Sequence, residues 1–227
     1  MELKDAITAP RVGAVRVQPS ARVIAPGVLV VDNVLPEQQR ELIDNYVRRA
    51  PWQFGWKSAS RKDDYSFWHR HFAGHRKSRS QEPYDCAEEL LKASPLMFAM
   101  WRHLAKTLFR GHTLIRCYAN AQSYGTDGSS HKDSKSPTSY TAVYYPHAAW
   151  DLDWAGETVI FSADKSDVIA SIYPKPNRLA VFHGNVLHAA RGVSRICPEL
   201  RIVLVFKTEA DHVATRALPP VSAGCRN

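Results

Sequence analysis

Residues 178–188 read Arg-Leu-Ala-Val-Phe-His-Gly-Asn-Val-Leu-His. Arg178 to Phe182 is a short apolar run of strand length, closed by a Gly184-Asn185 turn signal. Five further stretches have the same form: Leu114–Tyr118, Tyr140–Tyr145, Glu157–Phe161, Val168–Tyr173 and Arg201–Lys207. Between them lie Gly125, Asp127-Gly128, Gly156, Pro174, Pro176-Asn177 and Pro198. Many short strands parted by regular turns predict a β-sandwich or barrel.

Upstream of Leu114 the period changes. Val28–Val31 reads as a short buried strand. Pro36 suits the first turn of a helix, where its missing N–H costs nothing. Leu42, Ile43, Tyr46 and Val47 then share one face, so 36–49 is an amphipathic helix. A second helix is expected from Pro83 to Ala93, with Cys86, Leu90 and Leu91 inward. A third is expected from Pro95 to Phe109, on a stripe of Phe98, Trp101, Leu104, Ala105 and Leu108. Helices before strands, rather than alternating with them, exclude a doubly wound sheet and predict a mainly β core buttressed by helices on one face. The stretch 51–80 has no clean period, and strands and loops are expected there. The domain plan is one unit over 1–227: an irregular arm at 1–26, helical support with a substrate-facing insertion at 27–113, the β core at 114–207 and a tail at 208–227.

The 227 residues are 44% apolar with a formal net charge of +8. That size builds one well-buried core. Runs such as Ile202–Phe206 fall far short of the ~20 residues that span a bilayer. Met1 to Pro26 has no apolar segment of secretory type. Cys86, Cys117, Cys197 and Cys225 show no C-x-x-C spacing, which argues against a zinc site or redox dithiol. The expectation is a cytoplasmic chain with reduced thiols. The positive charge permits anionic partners, while a solvated basic surface is the plainer reading.

The segment Ser129-Ser130-His131-Lys132-Asp133-Ser134 carries a His-x-Asp pair. On an extended strand, residues two apart point the same way, so an imidazole and a carboxylate face one point. A second histidine would complete a two-His, one-carboxylate facial set, which leaves three cis positions open on an octahedral ion. A lone His-x-Asp is weak evidence, and for that pair alone a surface turn with Asp133 as a local cap is the plainer reading. His188 supplies the second imidazole. His183 competes, but the spacing from His188 to Arg201 suits a ligand strand followed by a return strand. Arg201 heads the apolar run 202–206, where a guanidinium is costly unless it meets an anion. A carboxylate would satisfy it, and a protein salt bridge would do so as well.

Taken in order, His131-x-Asp133, Gly156-Glu157-Thr158, Pro174-Lys175-Pro176-Asn177-Arg178-Leu179, His188 and Arg201 resemble the 2-oxoglutarate/Fe(II) dioxygenases, in their prolyl 4-hydroxylase-like branch. The resemblance covers 114–207 well and touches 28–47. It implies a double-stranded β-helix of jelly-roll or cupin type. It implies Fe(II) held by His131, Asp133 and His188, with 2-oxoglutarate and O2 as co-substrates. It also implies Arg201 on the distal carboxylate of 2-oxoglutarate, joined by Tyr145, with Tyr118 and Tyr124 around the co-substrate pocket. For the three tyrosines, ordinary strand packing is the alternative. Ala155-Gly156-Glu157 stands where the family more often has Gly-Gly-Glu. Asp133 stands where related halogenases carry a small residue, which favours hydroxylation; desaturation, epoxidation and ring closure stay open.

Three substrate classes remain at this level. They are a small molecule such as an amino acid or biosynthetic intermediate, a peptide or protein, and a nucleic acid (or a ligand of a non-catalytic β-sandwich). The basic, aromatic stretch 57–79 motivates the last. In it, Trp68 and Arg70 are candidate substrate contacts, with a packed aromatic strand as the alternative, and Trp150 is a candidate pocket wall.

Overall fold

The computed structural model describes residues 18–49, 51–59, 62–75 and 83–211. Eleven strands and three helices run β1 Ser20–Ala25, β2 Val28–Asp32, α1 Glu37–Arg48, β3 Gln53–Trp56, β4 Phe67–Gly74, α2 Ala87–Ala93, α3 Pro95–Thr107, β5 His112–Gln122, β6 Ser139–Tyr145, β7 Thr158–Phe161, β8 Val168–Ile172, β9 Arg178–His183, β10 His188–Ala190 and β11 Arg201–Ala210. An eight-stranded sheet has the order β1-β2-β9-β6-β11-β5-β4-β3, and a three-stranded sheet the order β10-β7-β8. Every named pairing is antiparallel. This is the double-stranded β-helix core expected above.

Period-two alternation divides the large sheet into two faces. On β11, Ile202, Leu204 and Phe206 join Ala142 and Tyr144 of β6 and Cys117, Ala119 and Ala121 of β5 in one core, against Met97, Trp101 and Leu104 of α3. The intervening residues Val203, Val205, Val143, Tyr145 and Tyr118 form a second core with Ile160 and Ile172 of the small sheet. The molecule is therefore three layers: helices, large sheet, small sheet. The chemistry-bearing side chains lie between the two sheets.

Several expectations shift. The arm predicted for 1–26 is a strand from Ser20, because Pro26-Gly27 is the turn of a β1–β2 hairpin with Gly27 at φ 71°; residues 1–17 lie outside the described residues. The tail expected from 208 is strand to Ala210, and 212–227 lie outside the described residues. Strand β5 runs on to Gln122, past the expected end at Tyr118. Its polar Asn120 and Gln122 alternate with buried Ala119 and Ala121, so no continuous apolar run betrays it. Helix α2 begins at Ala87, and Leu91 and Leu42 are exposed rather than inward. Cys86, Cys117 and Cys197 are free thiols; Cys225 lies outside the described residues. Among the described residues no helix is long and apolar enough to cross a membrane.

One buried charge cluster ties β1, β2 and β9 together. Arg178 donates from Nε to Asp32 Oδ1 at 2.6 Å and from Nη2 to Oδ2 at 3.0 Å. Lys175 and Arg22 reach the same carboxylate at 3.3 and 3.1 Å. Burial alone would raise the Asp32 carboxyl. The Arg178 fork, then Lys175 and Arg22, outweigh it and hold the group well below the usual carboxylate range. Its stabilising contribution is therefore complete above the unfolded carboxyl pKa of about 3.9 and drains away as pH falls below that value. Asp32→Asn should cost about 3 kcal/mol in urea unfolding at neutral pH, since it leaves a buried guanidinium unpaired. Its stability should also fall less steeply than the parent's below about pH 4.

Candidate metal centre

His131 stands before the loop that leads to β6, and His188 opens β10. Their backbones form an antiparallel bridge, with His131 N donating to His188 O at 2.9 Å and His188 N to His131 O at 3.0 Å. Asp133 N donates to Gly184 O at 2.8 Å. Three positions distant in sequence are thus fixed by main-chain bonds before any side chain acts. One ligand atom from each of His131, Asp133 and His188 lies within 4.8 Å of the others.

The side chains are oriented for a shared cation. His131 Nδ1 is 2.8 Å from Ser129 O, and His188 Nδ1 is 3.0 Å from Val186 O. A carbonyl only accepts, so each Nδ1 carries the proton and each Nε2 presents its lone pair. His131 Nε2 lies 3.5 Å from Asp133 Oδ1, and His188 Nε2 lies 3.7 Å from Oδ2. Thr141 Oγ1 donates to Oδ2 at 2.7 Å, and Lys207 Nζ to Oδ1 at 2.7 Å. Such outer partners fix ligand orientation. Burial pushes the Asp133 carboxyl up, but Lys207, His188 and His131 overwhelm it and hold the group well below its ordinary value. Burial brings His188 down to about 4, so its imidazole is neutral. For His131, burial is outweighed by the Asp133 contact and the pKa rises. His183, the competing histidine, sits outside this cluster against the Tyr140 ring, centroids 4.3 Å apart.

Arg201 is 1% exposed. Its Nε donates to Gly156 O, Nη1 to Gln122 Oε1 at 2.8 Å and Nη2 to Thr158 Oγ1 at 2.9 Å. All three acceptors are neutral, and among the described residues no carboxylate lies within ion-pair distance. Two of the five guanidinium N–H groups remain to be used. A buried cation without a counter-charge fits an incoming carboxylate. Tyr145, fully buried, bonds Thr158 Oγ1 at 2.7 Å, and Arg201 Cζ stands 5.7 Å from its ring. The cavity joining these groups is lined by Tyr118, Asn120, His131, Asp133, His188 and Arg201, with Ser58 and Phe67 on the far wall.

The structure leaves five of the expected residues outside that cavity lining: Tyr145, which lies behind it against Thr158 and Arg201, and four that stand farther off. Tyr124 is 58% exposed, beside Arg195; β5 ends at Gln122, which carries Tyr124 into the following turn. Trp68 and Arg70 project to the helix face, because Phe67 and His69 take the cavity face of β4. Arg70 donates to Tyr46 Oη at 2.7 Å and stacks on Tyr46 and Phe72, while Trp68 packs edge-on with Phe54. Trp150 is 7% exposed, donates to Ala155 O at 2.8 Å and backs the Gly156 turn. Of the basic residues in 57–79, Lys57 is bonded to Asp63 O at 2.8 Å; Arg61, Arg76, Lys77 and Arg79 lie outside the described residues.

Other residues emerge only in the fold. The Asp63 carboxylate accepts from Ala59 N and from Ser129 N, each at 2.8 Å. This straps the segment that bears Ser58 across the approach to His131. His147 is fully buried and accepts the Ile202 N–H on Nε2 at 3.1 Å, steadying the backbone beside Arg201. Lys207 is the third, at the end of an apolar run that reads as pure core. The side-chain parity of β11, with Arg201, Val203, Val205 and Lys207 on one face, was the available signal.

Comparison with known proteins agrees with this geometry. The sequence pattern of the 2OG-Fe(II) oxygenase superfamily matches residues 115–207. No curated protein sequence matches the chain. Among solved structures, an oxidoreductase of the 2OG-Fe(II) oxygenase family from Burkholderia pseudomallei superposes with a TM-score of 0.62 at 17% identity, covering 81% of this chain and 85% of that one. A Pseudomonas putida prolyl-4-hydroxylase gives 0.53 at 18%, covering 82% and 93%. HygX from Streptomyces hygroscopicus, solved with nickel and 2-oxoglutarate, gives 0.53 at 9%, covering 82% and 84%. At these identities the likeness shows a shared fold.

Gly156 sets the Arg201 pocket. It holds φ 84°, and a Cβ there would lie 3.1 Å from Arg201 Cδ, 3.2 Å from Val193 Cγ1 and 3.3 Å from Trp150 Cζ2. Gly156→Ala should therefore destabilise the fold by about 1–3 kcal/mol, measured as a Tm lower by several degrees.

Proposed function

We propose that the chain, whose residues 115–207 match the 2OG-Fe(II) oxygenase superfamily, is such an oxygenase, that His131, Asp133 and His188 hold the iron, that Arg201 receives the distal carboxylate of 2-oxoglutarate, and that the substrate is a small molecule. The superfamily uses Fe(II), 2-oxoglutarate and O2. Bound together, these supply oxidative decarboxylation of 2-oxoglutarate to succinate and CO2, coupled to oxidation of a substrate C–H bond. The observation that carries the site assignment is the buried Arg201 guanidinium, which meets only neutral acceptors at the far end of a cavity from two imidazole lone pairs and a carboxylate.

The residues fit the group. Two neutral-nitrogen donors and one carboxylate suit a divalent first-row ion and leave adjacent positions open for a chelating co-substrate. Each imidazole is held in the Nδ1–H form by a main-chain carbonyl, so no reorganisation is needed to bind metal. Thr141 and Lys207 hold the Asp133 plane. Arg201, with Tyr145 and Thr158 beside it, anchors a carboxylate in a dry pocket, where a charge-assisted fork is strong. Phe67, Val143, Val203 and Val205 give the cavity an apolar lining that keeps water from the reacting centre.

The small-molecule reading follows from the mouth. Residues 62–63 are fastened to the Ser129 loop beside His131 by Asp63 Oδ1–Ser129 N and by Ser129 Oγ–Lys62 O at 3.0 Å. A peptide chain passing through would have to displace them. Hydroxylation is the outcome favoured by an intact carboxylate ligand at Asp133, and free thiols at Cys86, Cys117 and Cys197 accord with a cytoplasmic setting.

The test is calorimetry with Mn(II) and 2-oxoglutarate under argon, followed by succinate release from the Fe(II) protein. His131→Ala should weaken metal binding at least ~100-fold. Arg201→Leu should weaken 2-oxoglutarate about 30-fold or more while metal affinity moves less than about threefold. Unchanged 2-oxoglutarate affinity in the latter variant would remove Arg201 from the site. Succinate release stimulated by peptides and not by amino acids or other small molecules would overturn the substrate reading.

A further inference from the structure

Arg116 is, with Arg201 and Arg178, one of three buried guanidinium groups on the cavity side of the large sheet among the described residues. It shares β5 with Tyr118, Asn120 and Gln122 and is 7% exposed. Its Cζ lies 4.5 Å from the Tyr118 ring centroid and 5.1 Å from that of Trp56. Both rings pack against the guanidinium without accepting from its Nε or Nη2. Nε and Nη2 are both buried, with no hydrogen-bond partner among the described residues.

Those two nitrogens form one edge of the guanidinium. Their N–H bonds run parallel, at a separation that matches the two oxygens of a carboxylate. The same molecule shows that match elsewhere: Arg178 offers the same edge to Asp32 at 2.6 and 3.0 Å. On Arg116 the edge meets no acid. A buried donor pair without an acceptor costs stability, so the edge implies an acceptor from outside the fold.

Its place singles out the substrate. Register sets Arg116 opposite Lys207 and Gln122 opposite Arg201. The two guanidinium positions are thus six residues apart along β11, on the order of 20 Å. A five-carbon keto-acid held at Arg201 does not reach Arg116. Lys207, one strand away, touches Asp133 at 2.7 Å and lies 5.9 Å from the Tyr118 ring, and both Asp133 and Tyr118 line the cavity. Lys207 is engaged by Asp133, so it adds positive potential without being the receptor. Trp56, packed on the guanidinium, sits on β3, the outermost strand of the sheet, two residues before the cavity-lining Ser58.

We propose that Arg116 receives a carboxylate of the substrate through its Nε and Nη2 edge, and that the substrate is a small carboxylic acid. The acid's carbon chain then extends past Tyr118 toward His131, Asp133 and His188. The oxidation of that chain rests on the oxygenase reading above; the recognition of the carboxylate does not.

The experiment is calorimetry on the full chain with Mn(II) and saturating 2-oxoglutarate under argon. The probes are the proteinogenic L-amino acids and short aliphatic and aromatic carboxylic acids, each beside its primary amide. At least one acid should bind, with its amide about 30-fold weaker or worse. Arg116→Gln should abolish that preference, and Arg116→Lys should restore part of it, while both variants keep the parent's Mn(II) and 2-oxoglutarate affinities within about threefold. That retention also reports that the variants are folded. The proposal is overturned if no acid binds better than its amide, or if Arg116→Gln leaves the acid's Kd unchanged, as it would with only a water at the edge. It is equally overturned if Arg116→Gln weakens 2-oxoglutarate, which would assign the residue to the co-substrate. Failure of the parent protein to bind Mn(II) and 2-oxoglutarate would instead strike the oxygenase reading, with the acid-over-amide comparison still readable.

Discussion

Two reciprocal backbone hydrogen bonds, between His131 and His188, hold together residues fifty-seven positions apart in the chain. They set the distance between two imidazoles before any metal is considered. Asp133 is added by its own main-chain bond to Gly184, on the turn between β9 and β10. The metal centre is in this sense a product of strand pairing. The ligand side chains inherit their convergence from backbone register, and a slip of one residue would turn each to the opposite face.

The same alternation separates the two jobs of the large sheet. Its helix-side residues make an apolar core with α3, and its other side carries the polar and charged groups of the cavity. Burying so much charge is costly, and the structure offsets it in two ways. Asp32 and Asp133 are each surrounded by cations that keep them ionised. Arg201 and Arg116 have no protein acid as a partner. Compensated charges tie strands together or orient a neighbouring side chain, while the two guanidinium groups without an acid are the ones proposed above to receive small anions.

Much of this was legible beforehand. Apolar runs between Gly, Pro and Asn turns mark six of the seven later strands, all but the three-residue β10, and Pro36 and Pro95 mark helix starts within a residue of their true positions. His131, Asp133, His188 and Arg201 could be ordered along the chain, and the choice of His188 over His183 agrees with the cluster that forms. The reading failed where polar residues occupy strands. β5 was cut short at Tyr118 because Asn120 and Gln122 interrupt its apolar character. On β4, Trp68 and Arg70 are more conspicuous in sequence than Phe67 and His69, and only pairing with β5 determines which set faces the cavity.

The sequence by itself marked most of the element types and ordered the candidate ligands His131, Asp133 and His188 along the chain, because these depend on residue identity and short spacing. The tertiary structure alone decided which charges find partners. Arg178 and Arg116 are indistinguishable as letters in β-rich segments. One is met by Asp32 from a strand 146 residues away, while the other has two aromatic rings against it and, among the described residues, no partner for its Nε and Nη2. Whether a buried guanidinium is neutralised depends on long-range strand order and on which carboxylates that order brings within about 3 Å, and no local pattern encodes that distance.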